Sequence, residues 1–316
     1  VISNSLSGNY SVNGNYFITL ESAYASIKGT GGGTIKVEES NTDNSTFVID
    51  VGDNVTLDLN GKIVTKGASG IRSNGNLTIV DNSDAKDGIL QSPTVETNTS
   101  VYVSLITIGE NAEFTLNSGT LINRGDPNNI YRVIEAIVGG CIVNINGGTL
   151  KSDFEGSVTS ANTARGITLV NGTLNIRGGE ISVDSETAVE HWSTENVGST
   201  INISGGTITS PGYAMFIGGT GTDSTNVNIT GGRIEAVSYN AICMSSACTG
   251  NLTITGGEII TSGYDYSAIT YSGSGTVTLG KNDADVSISS PVLMGNYGIN
   301  TTNGFNFYDG ILKGSI

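Results

Sequence analysis

The sequence predicts an all-β chain wound as a parallel β-helix, and three observations carry that expectation. First, an eight-residue unit recurs almost unchanged: Val143-Asn-Ile-Asn-Gly-Gly-Thr-Leu150, Leu174-Asn-Ile-Arg-Gly-Gly-Glu-Ile181, Ile201-Asn-Ile-Ser-Gly-Gly-Thr-Ile208, Val227-Asn-Ile-Thr-Gly-Gly-Arg-Ile234 and Leu252-Thr-Ile-Thr-Gly-Gly-Glu-Ile259. The second glycines, Gly148, Gly179, Gly206, Gly232 and Gly257, fall 25 to 31 residues apart. Second, the apolar residues of each unit alternate, as in Val143/Ile145 and Ile201/Ile203, which is the period of a strand with one buried face. Third, no helical pattern separates the units.

Each element follows from this unit. Ile18-Thr-Leu-Glu-Ser-Ala-Tyr-Ala-Ser-Ile27 places Leu20, Ala23, Tyr24 and Ile27 on one helical face and ends at Lys28-Gly29. It reads as a short N-terminal capping helix that leads through Gly31-Gly-Gly-Thr-Ile-Lys-Val37 into the first strand. Beyond residue 37 every copy is a strand, a Gly-Gly bend and a second strand. Midway between bends lies a further apolar stretch, as in Leu105-Ile-Thr-Ile108, Ala136-Ile-Val138, Gly166-Ile-Thr-Leu169, Ala188-Val-Glu-His191, Ala214-Met-Phe-Ile217, Ala241-Ile-Cys-Met244 and Ala268-Ile-Thr-Tyr271, which supplies a third strand. Degenerate copies at Val55–Gly61, Leu77–Ile89, Phe114–Leu121 and Phe305–Ile311 extend the series over nearly the whole chain. Three such strands cannot bury their apolar faces alone, so successive copies must stack, giving about ten coils at the ~4.8 Å strand spacing. Ile145, Ile176, Ile203, Ile229 and Ile254 should then form one internal column. Leucine-rich repeats share the period, but their Leu-x-x-Leu-x-Leu spacing is absent.

Composition narrows the function. With 37% hydrophobic residues and 45 glycines among 316, the chain can build a core as one domain spanning 1–316, the first 37 residues being the cap and first strand. Formal charge is −15, which repels nucleic acid and anionic membranes. No apolar run approaches the ~18 residues of a membrane span. The opening Val1-Ile2-Ser3-Asn4 has no secretory leader, so any signal peptide is expected to have been removed already, and repeat-like Gly310-Ile-Leu-Lys-Gly314 suggests a portion of a longer protein. Three cysteines are too few for a disulfide scaffold, and His191 is the only histidine, which excludes a histidine-based zinc enzyme. Cys243 and Cys248, separated by Met-Ser-Ser-Ala, are a candidate disulfide for an exported chain, with Cys141 unpaired.

The Leu20–Val37 opening, Val55-Thr-Leu-Asp-Leu-Asn-Gly-Lys-Ile63, Asn76-Leu-Thr-Ile-Val-Asp-Asn-Ser83, the repeated Ile-x-Gly-Gly-x-Ile and Phe305-Asn-Phe-Tyr-Asp-Gly310 resemble the pectin-lyase-like right-handed β-helix repeats of large surface and secreted proteins of gut Gram-positive bacteria. The resemblance covers about the whole chain. It implies a right-handed solenoid, but the group includes adhesins, glycan-binding stalks, polysaccharide lyases and glycosidases. The acidic and basic signatures of lyase and polygalacturonase members, an Asp-Asp pair, Gly-His-Gly or Arg-x-Lys, are absent.

Stacking turns same-phase residues into surface columns. Aligning the midway strands predicts one outward column of Thr107, Val138, Thr168, Glu190, Phe216, Cys243 and Thr270, and a second of Ser104, Glu135, Arg165, Thr187, Tyr213, Asn240 and Ser267. This face gathers Glu135, Arg165, Glu190, Tyr213 and Phe216, flanked by Trp192, Glu195, Tyr239, Tyr264 and Tyr266, in a chain otherwise poor in charge. The binding reading is a carbohydrate groove in which Trp192, Tyr213, Phe216, Tyr239 and Tyr266 stack on sugars and Glu190 accepts their hydroxyls. An enzyme reading pairs Glu135 and Glu190 as acid and base or nucleophile. A lyase would use Arg165 as base and carboxylates for calcium. No other cofactor is expected. A purely structural account has Arg165 neutralising Glu135 and Glu190 across adjacent turns.

Other motifs read as architecture. His191 falls in the inward phase and reads as a buried structural imidazole. Asp81-Asn-Ser-Asp-Ala-Lys-Asp-Gly88 departs from the calcium-loop spacing, and Lys86 intrudes, so a solvated turn is expected. The column Thr56, Thr78, Thr115, Asn144, Asn175, Asn202, Asn228, Thr253, Thr278 predicts hydrogen bonds between like side chains, and the Asn-x-Ser/Thr matches at Asn202, Asn228 and Asn251 follow from the same periodicity. The expected function is an extracellular or surface-displayed, adhesin-like glycan-binding module whose partner is a carbohydrate or host surface glycan. A polysaccharide-degrading enzyme on the same scaffold is the alternative.

Overall fold

The computed structural model describes residues 7–67, 70–94, 104–125, 130–153, 164–282 and 290–314. The chain forms a parallel β-solenoid of about nine turns, built as one 22-stranded and one 10-stranded sheet. The first wall runs from Gly32–Val37 through Ile142–Ile145 and Thr200–Ile203 to Asn306–Phe307, and the second from Asn41–Asp43 through Thr149–Ser152 to Ile311–Lys313. The two merge because Asn226–Ala236 and Leu252–Thr261 run unbroken through the Gly-Gly bend. The 10-stranded sheet is the third wall, from Phe47–Ile49 through Tyr131–Ala136, Ala164–Leu169, Thr187–Ser193 and Tyr213–Gly219 to Tyr297–Thr301. The repeat count led to about ten coils. At the N-terminal end Tyr10–Val12 instead pairs antiparallel with Asn15–Phe17 and with Gly32–Val37.

A helix forms at Leu20–Ala25, shorter than the apolar periodicity suggested. The Thr19 hydroxyl accepts from the Ser22 amide at 3.1 Å while the Ser22 hydroxyl accepts from the Thr19 amide at 3.2 Å, a reciprocal cap that fixes its start. Leu20, Ala23 and Tyr24 are buried, and the helix lies against Tyr10–Phe17, Gly32–Val37 and Phe47–Ile49.

The internal column forms as expected. Ile145, Ile176, Ile203, Ile229 and Ile254 pair in register across five coils and are essentially inaccessible to solvent. The bend glycines serve two needs at once. Gly206 has φ of 80°, a left-handed conformation that costs an L-residue energy, and a Cβ placed there would lie 2.8 Å from the Gly178 carbonyl oxygen of the preceding coil. Outside this bend the predicted asparagine column forms a ladder: Asn228 donates to Asn202 at 3.1 Å, Asn202 to Asn175 and Asn175 to Asn144 at 2.9 Å each, and Asn144 to the Glu113 carboxylate at 2.7 Å. The amides of Asn202 and Asn228 are thus used in the ladder.

Sequence periodicity gave no hint of a buried ion pair in the second wall. Lys66 is inaccessible to solvent, with its ammonium 3.2 Å from Asp43 Oδ1 and donating to the Ser45 carbonyl. Asp43 also accepts from the Leu20 amide at 2.7 Å and the Ser45 amide at 2.8 Å, tying the helix start to the second wall. Burial alone would push the Asp43 carboxyl up, but the Ser45 hydroxyl, these amides and the Lys66 charge outweigh it and hold it below its ordinary value.

Two outcomes follow. Gly14 also has positive φ, 79°, but nothing within 4 Å of its Cβ position. Gly14→Ala should therefore carry only the backbone cost, about 1–3 kcal/mol, while Gly206→Ala adds the clash with the coil beneath. Urea midpoints are expected to fall further for Gly206→Ala, and equal shifts would show that the inter-coil contact carries no weight. Lys66→Met strands a buried carboxylate and should cost about 3–5 kcal/mol at neutral pH. A carboxyl held low in the folded state contributes stability above its unfolded pKa and loses it as pH falls through the lower folded value. The penalty should therefore shrink in thermal melts as Asp43 becomes protonated, and a pH-independent penalty would refute the charge argument.

Candidate functional site

The third wall presents its outward residues in two columns whose membership corrects the sequence alignment. Thr107 pairs with Glu135, Glu135 with Thr168, Thr168 with Glu190, Glu190 with Phe216, Phe216 with Cys243 and Cys243 with Thr270. Ser104 pairs with Arg132, Arg132 with Arg165, Arg165 with Thr187 and Thr187 with Tyr213. Glu135 thus stands in the column assigned to Val138, and Arg132 in the place assigned to Glu135. The cause is a decoy: Ala136-Ile-Val138 copies the Ala-apolar-x pattern of Ala188-Val-Glu190, yet the strand is Tyr131–Ala136, and Ile137 and Val138 lie beyond it, 47% and 39% exposed. The buried series that sets the register is Ile134, Ile167, Val189, Met215, Ile242 and Ile269.

The corrected columns bring opposite charges together. Arg165 Nε donates to Glu190 Oε1 at 2.6 Å and its terminal nitrogen to Glu186 Oε2 at 2.8 Å. Arg132 Nε donates to Thr168 Oγ1 at 3.0 Å, and its guanidinium lies 3.3 Å from Glu135 Oε1. The Thr168 hydroxyl donates to Glu190 Oε2 at 3.3 Å, and the Ser104 hydroxyl to Glu135 Oε2 at 2.7 Å. Arg165 therefore neutralises Glu190 and Glu186, not Glu135, whose partners are Arg132 and Ser104. Both oxygens of Glu190 act as acceptors, so the carboxylate is held in place by Arg165 and Thr168.

Glu186, absent from the sequence-derived site, is placed by backbone strain. Its φ is 44°, unusual for a residue with a side chain. Its carbonyl accepts from the Ser210 hydroxyl at 2.7 Å, and Gly212 approaches that oxygen so closely that an added Cβ would lie 2.1 Å from it. Only the charge signal of an acidic residue four positions before Glu190 was available in the sequence.

Five aromatic rings adjoin this network in a continuous run. Trp192 stacks on Phe216 at 5.8 Å between centroids and 26° between planes, Phe216 meets Tyr213 at 5.4 Å, Tyr213 meets Tyr239 at 5.0 Å, and Tyr239 meets Tyr266 at 5.1 Å. All five were expected on this face, and the structure joins them into one strip. Trp192 and Tyr239 are 46% and 42% exposed, whereas Tyr264 is 88% exposed and stands apart from the strip. Burial, with nearby Cys243 and tyrosine groups, pushes the Tyr213 phenol up to about 12, so it remains a neutral hydrogen-bond donor. Beside the strip opens a cleft of about 620 Å³ lined by Arg165, Glu186, Glu190, Trp192, Tyr213 and Phe216 among others, within the size range of small-ligand sites. Ile137 lines both this cleft and a hollow of about 820 Å³ that continues the wall towards Arg72 and Thr107.

His191 points inward from the same strand that exposes Trp192. Its Nδ1 lies 2.7 Å from Asp223 Oδ2 without hydrogen-bond alignment, and both side chains are buried away from the cleft. The Asp81–Gly88 turn is held by its first residue: Asp81 Oδ1 accepts from the Gly61 and Ser83 amides, Oδ2 from Gly88, and Lys86 Nζ donates to the Asp81 carbonyl. Asp81 is buried, so it is an anchor and not the solvated turn residue expected.

The candidate disulfide is not formed; all three cysteines are free thiols. Cys243 belongs to the outward column between Phe216 and Thr270, whereas Cys248 is fully buried with its Sγ donating to the Ile217 carbonyl at 3.2 Å. Cys243 therefore faces outward while Cys248 is packed into the interior.

Compared with protein-family models, with curated proteins and with solved structures, the chain matches none.

Titration of the denatured, unreduced chain is expected to give three thiols. Two missing thiols, restored by reductant, would show that Cys243 and Cys248 are bridged after all.

Proposed function

We propose that this chain is an extracellular or surface-displayed glycan-binding module of adhesin-like type, on the right-handed pectin-lyase-like helix that its repeats resemble. The observation that carries the reading is the strip Trp192–Phe216–Tyr213–Tyr239–Tyr266. Neighbouring rings stand 5.0 to 5.8 Å apart, three of the contacts joining successive coils and the Tyr213–Phe216 contact lying within one strand, a spacing comparable to one sugar unit in an extended glycan. An aromatic face offers the C–H face of a pyranose an apolar surface, while polar groups at the edge receive its hydroxyls. Thr194, Glu186 and Glu195 supply that edge, and the cleft beside the strip is of a size to take further sugar units. The charge of −15 argues against phosphate-bearing partners and leaves uncharged surfaces in play.

The alternative is a polysaccharide-degrading enzyme using Glu135 and Glu190. These lie in one column with Thr168 between them, so their backbones are separated by two strand spacings, ~9.6 Å. Each carboxylate is occupied by an arginine and a hydroxyl, which suits a fixed framework better than a proton-exchanging pair.

On a glycan array, the chain is expected to bind at least one glycan. Trp192→Ala and Phe216→Ala should each weaken that binding about tenfold, or about 1.4 kcal/mol, with thermal midpoints close to the parent, because the internal columns are untouched. Release of reducing ends or unsaturated sugars from any polysaccharide, abolished by Glu135→Gln or Glu190→Gln, would overturn the binding reading in favour of catalysis.

A further inference from the structure

From the same cleft, and resting on the glycan-binding reading, we infer that the ligand is a neutral glycan and that acidic polysaccharides, whether uronate-bearing or sulfated, are excluded. The argument is which charges a ligand meets first. Both guanidiniums of the site are nearly buried, with side chains only 11% exposed for Arg165 and 13% for Arg132. Arg165 is paired with Glu186 and Glu190, and Arg132 with Glu135 and Thr168. Neither offers the outward fork that receives a carboxylate or sulfate in a bidentate pair.

The acidic groups are arranged the other way. Glu186 is 48% exposed at the side chain, and Glu195 is exposed on the loop that lines the same cleft. Four carboxylates, of Glu135, Glu186, Glu190 and Glu195, stand against two guanidiniums on this stretch of wall, and the chain as a whole carries −15. A uronate laid on the aromatic strip would bring its carboxylate against exposed carboxylates without a cation to receive it, whereas a neutral sugar's hydroxyls donate to those same oxygens. Like-charge juxtaposition of this kind costs most at low ionic strength and is screened by salt. The exclusion is thus built from two features: cations consumed internally, and acceptors turned outward.

The test uses the whole chain in affinity electrophoresis and calorimetry against neutral polymers (β-glucan, galactan, arabinoxylan, mannan) and acidic ones (polygalacturonate, alginate, a sulfated galactan), each with calcium and with chelator. At low salt at least one neutral polymer should bind, with every acidic polymer roughly tenfold weaker or more. The gap should narrow towards ~1 M salt, where screening reaches a few ångströms. Glu195→Lys, on an exposed loop, should raise the ratio of polygalacturonate affinity to neutral-polymer affinity several-fold. An acidic polymer binding as tightly as the best neutral one, with or without calcium, and losing that binding in Trp192→Ala, overturns the inference while sustaining a glycan site. Failure of Glu195→Lys to raise that ratio also overturns it. Absence of binding to every polymer removes the glycan reading and this inference together.

Discussion

Everything on this molecule is ruled by the spacing between coils. Parallel strands stacked in register at about 4.8 Å oblige each coil to repeat the backbone path of the one beneath it, because the amide and carbonyl groups of one coil are the partners of the next. From Gly148 to Gly257 a left-handed glycine recurs at the same point of each coil because a side chain there would strike the carbonyl below. Isoleucines recur inside because each sits on its predecessor. The same spacing holds Trp192, Phe216, Tyr213, Tyr239 and Tyr266 within ring contact although 74 residues separate the first from the last.

The same rule sets a hazard that the site resolves. Arg132 and Arg165 are register partners in adjacent coils, two like charges on neighbouring strands, and both are largely withdrawn from water. Such a pair is tolerated because the next column interleaves Glu135, Thr168 and Glu190, so that each guanidinium finds acceptors beside it. The network couples strands from Ser104 to Glu190 and makes the floor of the cleft a fixed surface. Glu186 and Glu195 project from the turns at either end of the Thr187–Ser193 strand.

Much of this was legible in the sequence, for a physical reason. Strand alternation and the Gly-Gly bend are local signals repeated in every coil, so Ile145 through Ile254 and Asn144 through Asn228 could be assigned to columns by counting. Counting failed where two apolar patterns competed. Ala136-Ile-Val138 looks like a third-wall strand, and only the burial of Val133 and Ile134 moves the register back and puts Arg132 on the surface. No local pattern marks Lys66 as buried, and its burial depends on Asp43, 23 residues away. Cys243 and Cys248 lie close in sequence, but that one faces outward and the other is buried is not written in either residue type.

The asparagine ladder has a polarity that the strands beside it do not require. Every bond runs the same way, from Asn228 through Asn202 and Asn175 to Asn144, and the last amide delivers its hydrogens to the Glu113 carboxylate. Four side-chain dipoles aligned head to tail reinforce one another, with the positive end of the series directed at a negative charge. The outer surface of the first wall therefore carries an electrical axis parallel to the solenoid, terminated by an anion at one end in the manner of a helix with an acidic residue at its N-terminus.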